Sequence, residues 1–469
     1  MKSEFEETYY NPIMLTDAYN LSHFFLKENV DKEISLIFNR NRPMILNGFS
    51  QVVHNIVDQP ITQKMVLEAK READNMGMPF PLDMWERVVN EFDGYLPLKI
   101  QALPDGTWCP KGTPFAKITN TEKGFGELVT WFEPVLLHTS FDSGCATRAF
   151  EMRKYLDSNK LNRNRIHSFG MRGHASMENA IKAGKAWRLF LNGTDDFHTQ
   201  WVTDANGKSI PATAHKTIQQ FNNELDAYYH SIDATKAHGF NIVAIVIDTY
   251  DPITFIKYYA KKVAEYGKSR GVHIVFRPDS GNIFDQAYGL YCIMWSSGLQ
   301  DNTSIILGEG ITFDKIREWD IKFRALGVDL NYINYGMGAG FYKDIDRDYL
   351  GFAMKTSFSN GQNRMKFSAD PIKQSIAGDV KLYTCDGYDD IWVGYLEQPN
   401  IPYFGYKKLY KTIYELNGES KVYSWNEIKE RAEKYLTMEL QENINIGGDV
   451  NDESERLRKK YITDVKLEY

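Results

Sequence analysis

Arg277 and Asp279 stand two residues apart in the turn Arg277-Pro-Asp-Ser-Gly-Asn282. An arginine there can clamp a phosphate through two parallel N–H bonds. The aspartate can accept from two ribose hydroxyls or reach a magnesium-bound water. Further on, Gly308-Glu309-Gly310 and Gly336-Met337-Gly338-Ala339-Gly340 offer backbone N–H groups with no Cβ in the way, which suits phosphate oxygens. Taken singly, such glycines serve turns; on neighbouring strand ends they make a phosphosugar site. Upstream, His167-Ser-Phe169-Gly-Met-Arg172-Gly173 sets an aromatic face and a guanidinium three residues apart. The plainer reading of that pair is a core Phe beside a surface Arg. Asn192-Gly-Thr-Asp195-Asp196 is a turn with two acids, and Pro211-Ala-Thr-Ala-His215 places a single histidine before a helical stretch. A single histidine is structural more often than catalytic. Thr16-Asp17-Ala18-Tyr19 precedes an aromatic-rich segment and carries nothing alone.

These residues need a frame that brings them together. Asn241-Ile-Val-Ala-Ile-Val-Ile247, Val272-His-Ile-Val-Phe276, Ser304-Ile-Ile-Leu307 and Asn331-Tyr-Ile-Asn334 are apolar runs that read as strands. They recur about every thirty residues, the length of a βα unit, with helical stretches such as 312–326 between them. Continuously apolar strands imply burial on both faces, hence a parallel sheet covered by helices. The polar and glycine-rich turns follow each strand, at the end where α/β barrels and open α/β sheets bind ligands. The fold class expected is α/β: an incomplete or irregular parallel barrel over 145–350, with a second α+β domain built from both flanks, 1–144 and 351–469. Residues 97–118, with turn signals at Pro104-Asp-Gly106 and 110–114, predict hairpins. Helices are expected over 62–75 and 83–92, strands over 380–384 and 391–395, and a capping box at Ser424-Trp-Asn-Glu427 opens a charged helix to about 440. The polar tail from Gly447 reads as loosely held.

Bulk properties narrow the function classes. A chain of 469 residues favours two or three domains, and a 43% hydrophobic and 25% charged composition is that of a globular protein. No apolar run is long enough to span a membrane. The start, Met1-Lys-Ser-Glu-Phe-Glu-Glu7, is acidic and lacks the apolar core of a secretion signal. A net charge of -7 with no long basic block argues against duplex nucleic acid as partner. Cys109, Cys145, Cys292 and Cys385 have no Cys-x-x-Cys spacing, so buried free thiols in a reducing cytoplasm are expected rather than a zinc or redox site.

Seven segments, in order, resemble the type II phosphoribosyltransferases that act on nicotinamide and nicotinate. They are Leu15-Thr-Asp-Ala-Tyr-Asn-Leu-Ser-His23, His167 to Gly173, Gly193-Thr-Asp195, Pro211 to His215, Arg277 to Asn282, Gly308-Glu-Gly310 and Tyr335-Gly-Met-Gly-Ala-Gly340. The similarity runs from about Asn11 to about Trp425. It implies that Phe169 stacks on one face of a pyridine ring and Tyr19 of a partner subunit on the other. It implies Arg172 and Arg277 at the ribose and base site, Asp279 on the ribose, and Gly308, Glu309, Gly338 and Ala339 around the ribose and 5′-phosphate. Arg40, Arg347, Lys355 and Lys366 resemble the cations for diphosphate and phosphates, supplied in part across a dimer interface. His215 resembles a histidine through which ATP hydrolysis is coupled to product formation. The resemblance further implies a homodimer, with phosphoribosyl diphosphate, nicotinamide and ATP as partners and Mg2+ carried by the diphosphate rather than held by protein ligands. Diphosphate leaves an oxocarbenium-like ribose, and the pyridine nitrogen attacks C1 with its own lone pair, so positioning and charge stabilisation supply catalysis.

Asp195 bears on the choice of base. The nicotinamide branch reads Gly-Thr-Asp here, the nicotinate branch typically Ser. A carboxylate can accept from an amide NH2 and repels a second carboxylate by roughly 4 kcal/mol at about 4 Å and an effective dielectric of about 20. Arg277 to Asn282 also resembles the nicotinamide side. Asn363-Arg-Met-Lys-Phe-Ser368 with Asp370-Pro371 is nearer the nicotinate branch, Met171 replaces an aromatic, Ala244 stands where the nicotinamide branch carries Ser, Glu309 replaces Asp and Ala339 replaces Gly. The nicotinate enzyme is therefore the first alternative. A barrel lyase or hydrolase using Asp248, Asp251 and Asp279 as acid–base groups is the second, and a non-catalytic phosphosugar-binding protein the third.

Overall fold

The computed structural model describes residues 11–27, 30–203, 207–370, 373–385, 390–395, 406–416 and 418–468. The acidic start, Pro371 and the Cys385 side chain lie outside them. The chain divides into two compact units, Arg148–Lys343, and Met1–Thr147 with Asp344–Tyr469.

The unit Arg148–Lys343 is an α/β ring. Its strands are β1 (Ile166–Ser168), β2 (Gly193–Thr194), β3 (Ile242–Val246), β4 (His273–Arg277), β5 (Thr303–Leu307) and β6 (Ile333–Met337). Their order is β2-β1-β6-β5-β4-β3, every pairing parallel. This is the cyclic order of a barrel interrupted once, between β2 and β3. Residues 208–213 run along that break and touch both edges through parallel bridges, Gly193 with Lys208 and Ala212 with Ala244. The backbone bonds are Thr194 N to Lys208 O (2.9 Å), Lys208 N to Asn192 O (2.8 Å), Ala244 N to Pro211 O (2.8 Å) and Thr213 N to Ala244 O (2.9 Å). Pro211 has no N–H to give to a ladder, which explains why a chain passing from one edge to the other here is irregular.

Helices Met177–Arg188, Glu224–Ala237, Ala260–Arg270, Ile283–Ser296 and Phe313–Ala325 connect the strands. Four of the strands were expected. β6 starts two residues later than its apolar run, because Leu330–Tyr332 forms a 3-10 turn capped by Asp329 on Asn331 N, and Gly336 and Met337 belong to the strand rather than its loop. β1 and β2 have three and two residues, too few to show a period, and had read as turn motifs only.

The second unit is α+β and draws on both flanks. Its six-stranded antiparallel sheet runs Gln362–Asn363, Phe352–Ser359, Glu33–Asn39, Pro114–Asn120, Leu98–Ala102, Lys411–Glu415. The central strand Glu33–Asn39 is buried throughout. The expected hairpin pairs Leu98–Ala102 with Pro114–Asn120, while Trp108–Cys109 between them turns away to Met44–Ile45. Helices Gln63–Asn75 (capped by Thr62) and Leu82–Glu91 form as expected. The Ser424 capping box opens Trp425–Lys434, which ends short of 440. The tail is not loose: Gly448–Glu468 is a helix, seated by Val450 at 1% exposure and laced by Arg456–Glu453 at 2.6 Å. Among the described residues no helix is long and apolar enough to cross a membrane.

Candidate active site

The site is built on the C-terminal ends of the ring's strands. Phe169 follows β1, and its N–H donates to Met337 O of β6 at 2.9 Å. The ring packs over Ala244, Val275 and Ile306, an apolar floor from β3, β4 and β5, with Ile210 and Ile242 beside it. Gly336 makes room for it: a Cβ there would lie 1.9 Å from Phe169 Cε2. A Cβ on Gly308 would lie 3.2 Å from Asp279 Oδ1 and 3.9 Å from Phe169 Cε2, so the aromatic face and the Asp279 carboxylate flank one point.

The charged groups converge next to it. His215 opens the short helix His215–Ile218 directly after the 208–213 segment. Its Nε2 is 3.6 Å from Asp279 Oδ2 and 4.0 Å from Asp248 Oδ1. Its Nδ1 is 3.1 Å from Thr249 Oγ1. Arg277 Nη1 lies 3.6 Å from Asp279 Oδ2, and Nη2 donates to Thr213 O at 3.1 Å. Ser280 donates to Asp248 Oδ2. Asp248 Oδ1 and Arg277 Nε are buried with no hydrogen-bond partner among the described residues. A buried acceptor and a buried donor facing the same mouth suit a polar, charged ligand, since such atoms cost free energy when left unpaired.

On the other side, Asp195 follows β2, its N–H donating to Ser168 O at 2.9 Å. It is exposed, and Ser209 Oγ donates to its Oδ1 at 2.5 Å. Its neighbour Asp196 is buried, accepts from Ser168 Oγ and from Met171 N (3.0 Å), and so fixes the Phe169–Met171 turn. Burial raises the Asp196 carboxyl above the ordinary range, with those hydrogen bonds opposing. Arg172 stands exposed on the 3-10 turn Met171–Gly173, with no ion pair among the described residues. Glu309 and Ala339 are exposed on the loops after β5 and β6, with Gly308 and Gly338 half-buried beside them.

The remaining residues named from the sequence lie in the second unit and also gather. Lys355, in strand Phe352–Ser359, is held below the ordinary lysine range first by burial; Glu133 opposes this, and Arg40, Lys366 and Arg347 add to it. Lys355 thus stands near one acid and three further cations. Burial lifts the Glu133 carboxyl, with Lys355 and a bond from Met354 N–H opposing. Arg40 Nε and Nη2 are buried with no partner among the described residues. Tyr19 is 59% exposed, edge-on to His23 at 5.3 Å, with Glu133 and Asp17 the acids acting on it. A cavity of about 510 Å3 is lined by Lys27, Lys355, Arg364 and Lys366.

Sequence reasoning missed Gly336 as the seat of Phe169, Asp196 as the brace of its turn, and Glu133. Glu133 carries no local signal; it matters only once folding brings Lys355 to it. Asp251, named for an acid–base role in the lyase reading, is a helix cap: Oδ2 accepts from Thr254 N at 2.6 Å. Cys109 and Cys145 are buried free thiols as expected, but Cys292 is exposed. Among the described residues no group of three or more His, Cys, Asp or Glu is placed to hold a metal ion.

An aromatic over an apolar floor, ringed by arginine, carboxylates and glycine loops at the strand ends of an α/β ring, suits an enzyme that handles a flat base and a phosphosugar. The sequence model of the nicotinate phosphoribosyltransferase (NAPRTase) family matches residues 164–370. The nicotinamide phosphoribosyltransferase of Xanthomonas campestris pv. campestris (strain 8004) is 26% identical over 381 residues, 74% of this chain and 81% of that protein. That of Acinetobacter baylyi is 27% identical over 332 residues, 60% of this chain and 65% of that protein. The crystal structure of human nicotinic acid phosphoribosyltransferase superposes with a TM-score of 0.62 at 15% identity, covering 94% of this chain and 99% of the other. In sequence the chain is thus similar to phosphoribosyltransferases of nicotinamide and nicotinate, and in fold to a nicotinic acid phosphoribosyltransferase.

Proposed function

We propose that the chain transfers the phosphoribosyl group of phosphoribosyl diphosphate to nicotinamide, giving nicotinamide mononucleotide and diphosphate in NAD salvage. The observation that carries this reading is Phe169, seated by Gly336 over Ala244, Val275 and Ile306 and flanked through Gly308 by Asp279. A pyridine ring stacked on Phe169 points its nitrogen toward a ribose held by Asp279 and Arg277. The C1–oxygen bond to diphosphate breaks with its electron pair leaving on the diphosphate, and the nitrogen lone pair forms the C1–N bond. No proton needs to move. The chain's own work is to align nitrogen, C1 and leaving oxygen, and to offset charge on the leaving group.

Asp195 favours nicotinamide over nicotinate, because its Oδ2 can accept from an amide while Ser209 engages Oδ1. Arg40, Arg347, Lys355 and Lys366 would hold diphosphate and phosphate, which fits the two unpaired nitrogens of Arg40. Mg2+ would be carried in on the diphosphate, with Asp279 able to reach its bound water rather than the ion itself. When bound, the ion supplies neutralisation of leaving-group charge. His215 is assigned as acceptor of a phosphoryl group from ATP: Thr249 engages Nδ1, leaving Nε2 turned to the mouth. An acid-labile label from γ-labelled ATP should appear on the parent and not on His215→Ala. Tyr19 and part of the cation cluster are proposed to serve a partner copy's ring in a homodimer. Exposed Met14, Phe24, Phe25 and Leu26 beside Tyr19 support this, since such an apolar patch normally finds a partner. Free thiols fit a cytoplasmic setting.

The test is product formation from phosphoribosyl diphosphate and magnesium, with nicotinamide and nicotinate side by side, with and without ATP. Mononucleotide mainly from nicotinamide is expected. Product mainly from nicotinate would keep the mechanism and remove the role given to Asp195, and none from either would overturn the proposal.

A further inference from the structure

Behind the loop that carries Lys366 lies the helix Gly448–Glu468. Its start is anchored. Gly447 N donates to Val393 O at 2.8 Å, Tyr395 N donates to Asp449 Oδ2 at 2.9 Å, and Asn445–Ile446 pairs with strand Ile391–Gly394. From there three contacts reach forward. Asn363 Nδ2 donates to Glu453 Oε1 at 2.9 Å, and Arg458 Nη2 donates to Gln374 Oε1 at 2.9 Å. The Tyr461 ring stacks on Phe367 with centroids 5.8 Å apart and planes 28° from parallel. Glu453 is itself held by Arg456 Nε at 2.6 Å. The loop is closed at its base by Lys366 N to Ser375 Oγ (2.8 Å) and Ser375 N to Lys366 O (3.2 Å).

Cavities lie on both sides of this loop. In front is the cationic one of about 510 Å3, with Lys355 and Lys366. Behind is one of about 480 Å3, lined by Phe367, Glu453, Arg456 and Tyr461. Arg364 and Met365 line both, so the loop there is one residue thick. A strip of chain with space before and behind has little packing of its own. Up to Arg364 it is held by the pairing of Gln362–Asn363 with Phe358–Ser359 and by Arg364 N donating to Ser357 O at 2.7 Å; beyond that its position is set by the closure at its base and by the helix contacts.

We propose that the C-terminal helix is a brace, with Arg458 and Tyr461 as positioning residues that hold Lys366 and Arg364 ready for the diphosphate of phosphoribosyl diphosphate. This rests on the reading of Lys366 given above. Loosening the brace weakens binding of that substrate in ground and transition state alike, so KM rises while kcat stands.

The test uses the full chain with Arg458→Gln, Tyr461→Ala and their double variant, and Tyr461→Phe as the conservative control. The double variant should raise KM for phosphoribosyl diphosphate about fivefold to tenfold, the scale of an aromatic pair and a charged hydrogen bond. kcat and KM for nicotinamide should stay within about twofold of the parent. Trypsin should cut faster after Arg364, Lys366 and Lys373, and Tyr461→Phe should behave as the parent. Unchanged KM with an equally protected loop would overturn the brace, as would an even loss of all kinetic constants with a lowered Tm. Lys366→Ala in the parent separates the two readings. If it leaves KM for phosphoribosyl diphosphate unmoved, Lys366 is not a diphosphate cation and the brace loses its link to binding, even where loop cleavage has risen.

Discussion

At the scale of single residues, the site turns on where side chains are missing. Gly336 lies under Phe169 so closely that one methyl group would meet the ring. The strand cannot yield without breaking its pairing with β1 at Gly336 and His167. Gly336→Ala should therefore displace Phe169 and weaken the base contact, which is worth about 1–3 kcal/mol for a stacked ring. KM for nicotinamide should rise at least about tenfold, with KM for phosphoribosyl diphosphate within about threefold; an unchanged KM for nicotinamide would show that Phe169 is not the stacking face. Asp195 is exposed, so the repulsion between it and nicotinate sits nearer the water limit of about 1 kcal/mol than the roughly 4 kcal/mol of a half-shielded pair. Asp195→Ser should shift the ratio of kcat/KM toward nicotinate by about fivefold to thirtyfold. A shift in the other direction would assign the choice of base to another residue.

At the scale of elements, what was legible followed length and regularity. β3, β4 and β5 announce themselves as continuous apolar runs and fold where expected. β1 and β2 are too short for any period, and the turns that follow them, with Phe169, Arg172 and Asp195, were easier to see than the strands themselves. The C-terminal helix was read as loose because its composition is polar; its order comes from Val450, Asp449 and Tyr461 meeting segments far away in sequence. The ring also has a titration signature. Burial lowers the pKa of His167 on β1, of His273 on β4 and of His174, which stacks on Tyr342 at 3.5 Å and is pushed down to about 4. Each binds fewer protons folded than unfolded, so their contribution to stability is whole above about pH 6.5 and is lost as pH falls toward their folded values. Tm should drop between pH 6.5 and pH 4. His174→Phe, which keeps a ring on Tyr342, should flatten that drop, and an equally steep profile in this variant would remove His174 from the account.

At the scale of the whole molecule, the residues assigned to one reaction fall into two sets, each internally coherent: ring residues around Phe169 and Asp279, and the Tyr19 and Lys355 cluster of the second unit. If a partner copy's Tyr19 completes each site, then Tyr19→Ala and Phe169→Ala are defects in opposite halves. Mixing them creates dimers with one doubly damaged and one intact site. Random reassembly should restore about one quarter of parental activity, since about half the dimers are mixed and each has one good site. Recovery no greater than the sum of the two variants would confine both residues to a single copy's site.

The interruption at 208–213 has a mechanical consequence. A ring held elsewhere by continuous ladders is joined there by two bridges around Pro211, so that seam is where the ring opens at least cost. His215 hangs two residues beyond its end at Thr213. Of the groups at the mouth, His215 follows the seam in sequence and Arg277 is tied to its end at Thr213 O, so both would feel its breathing.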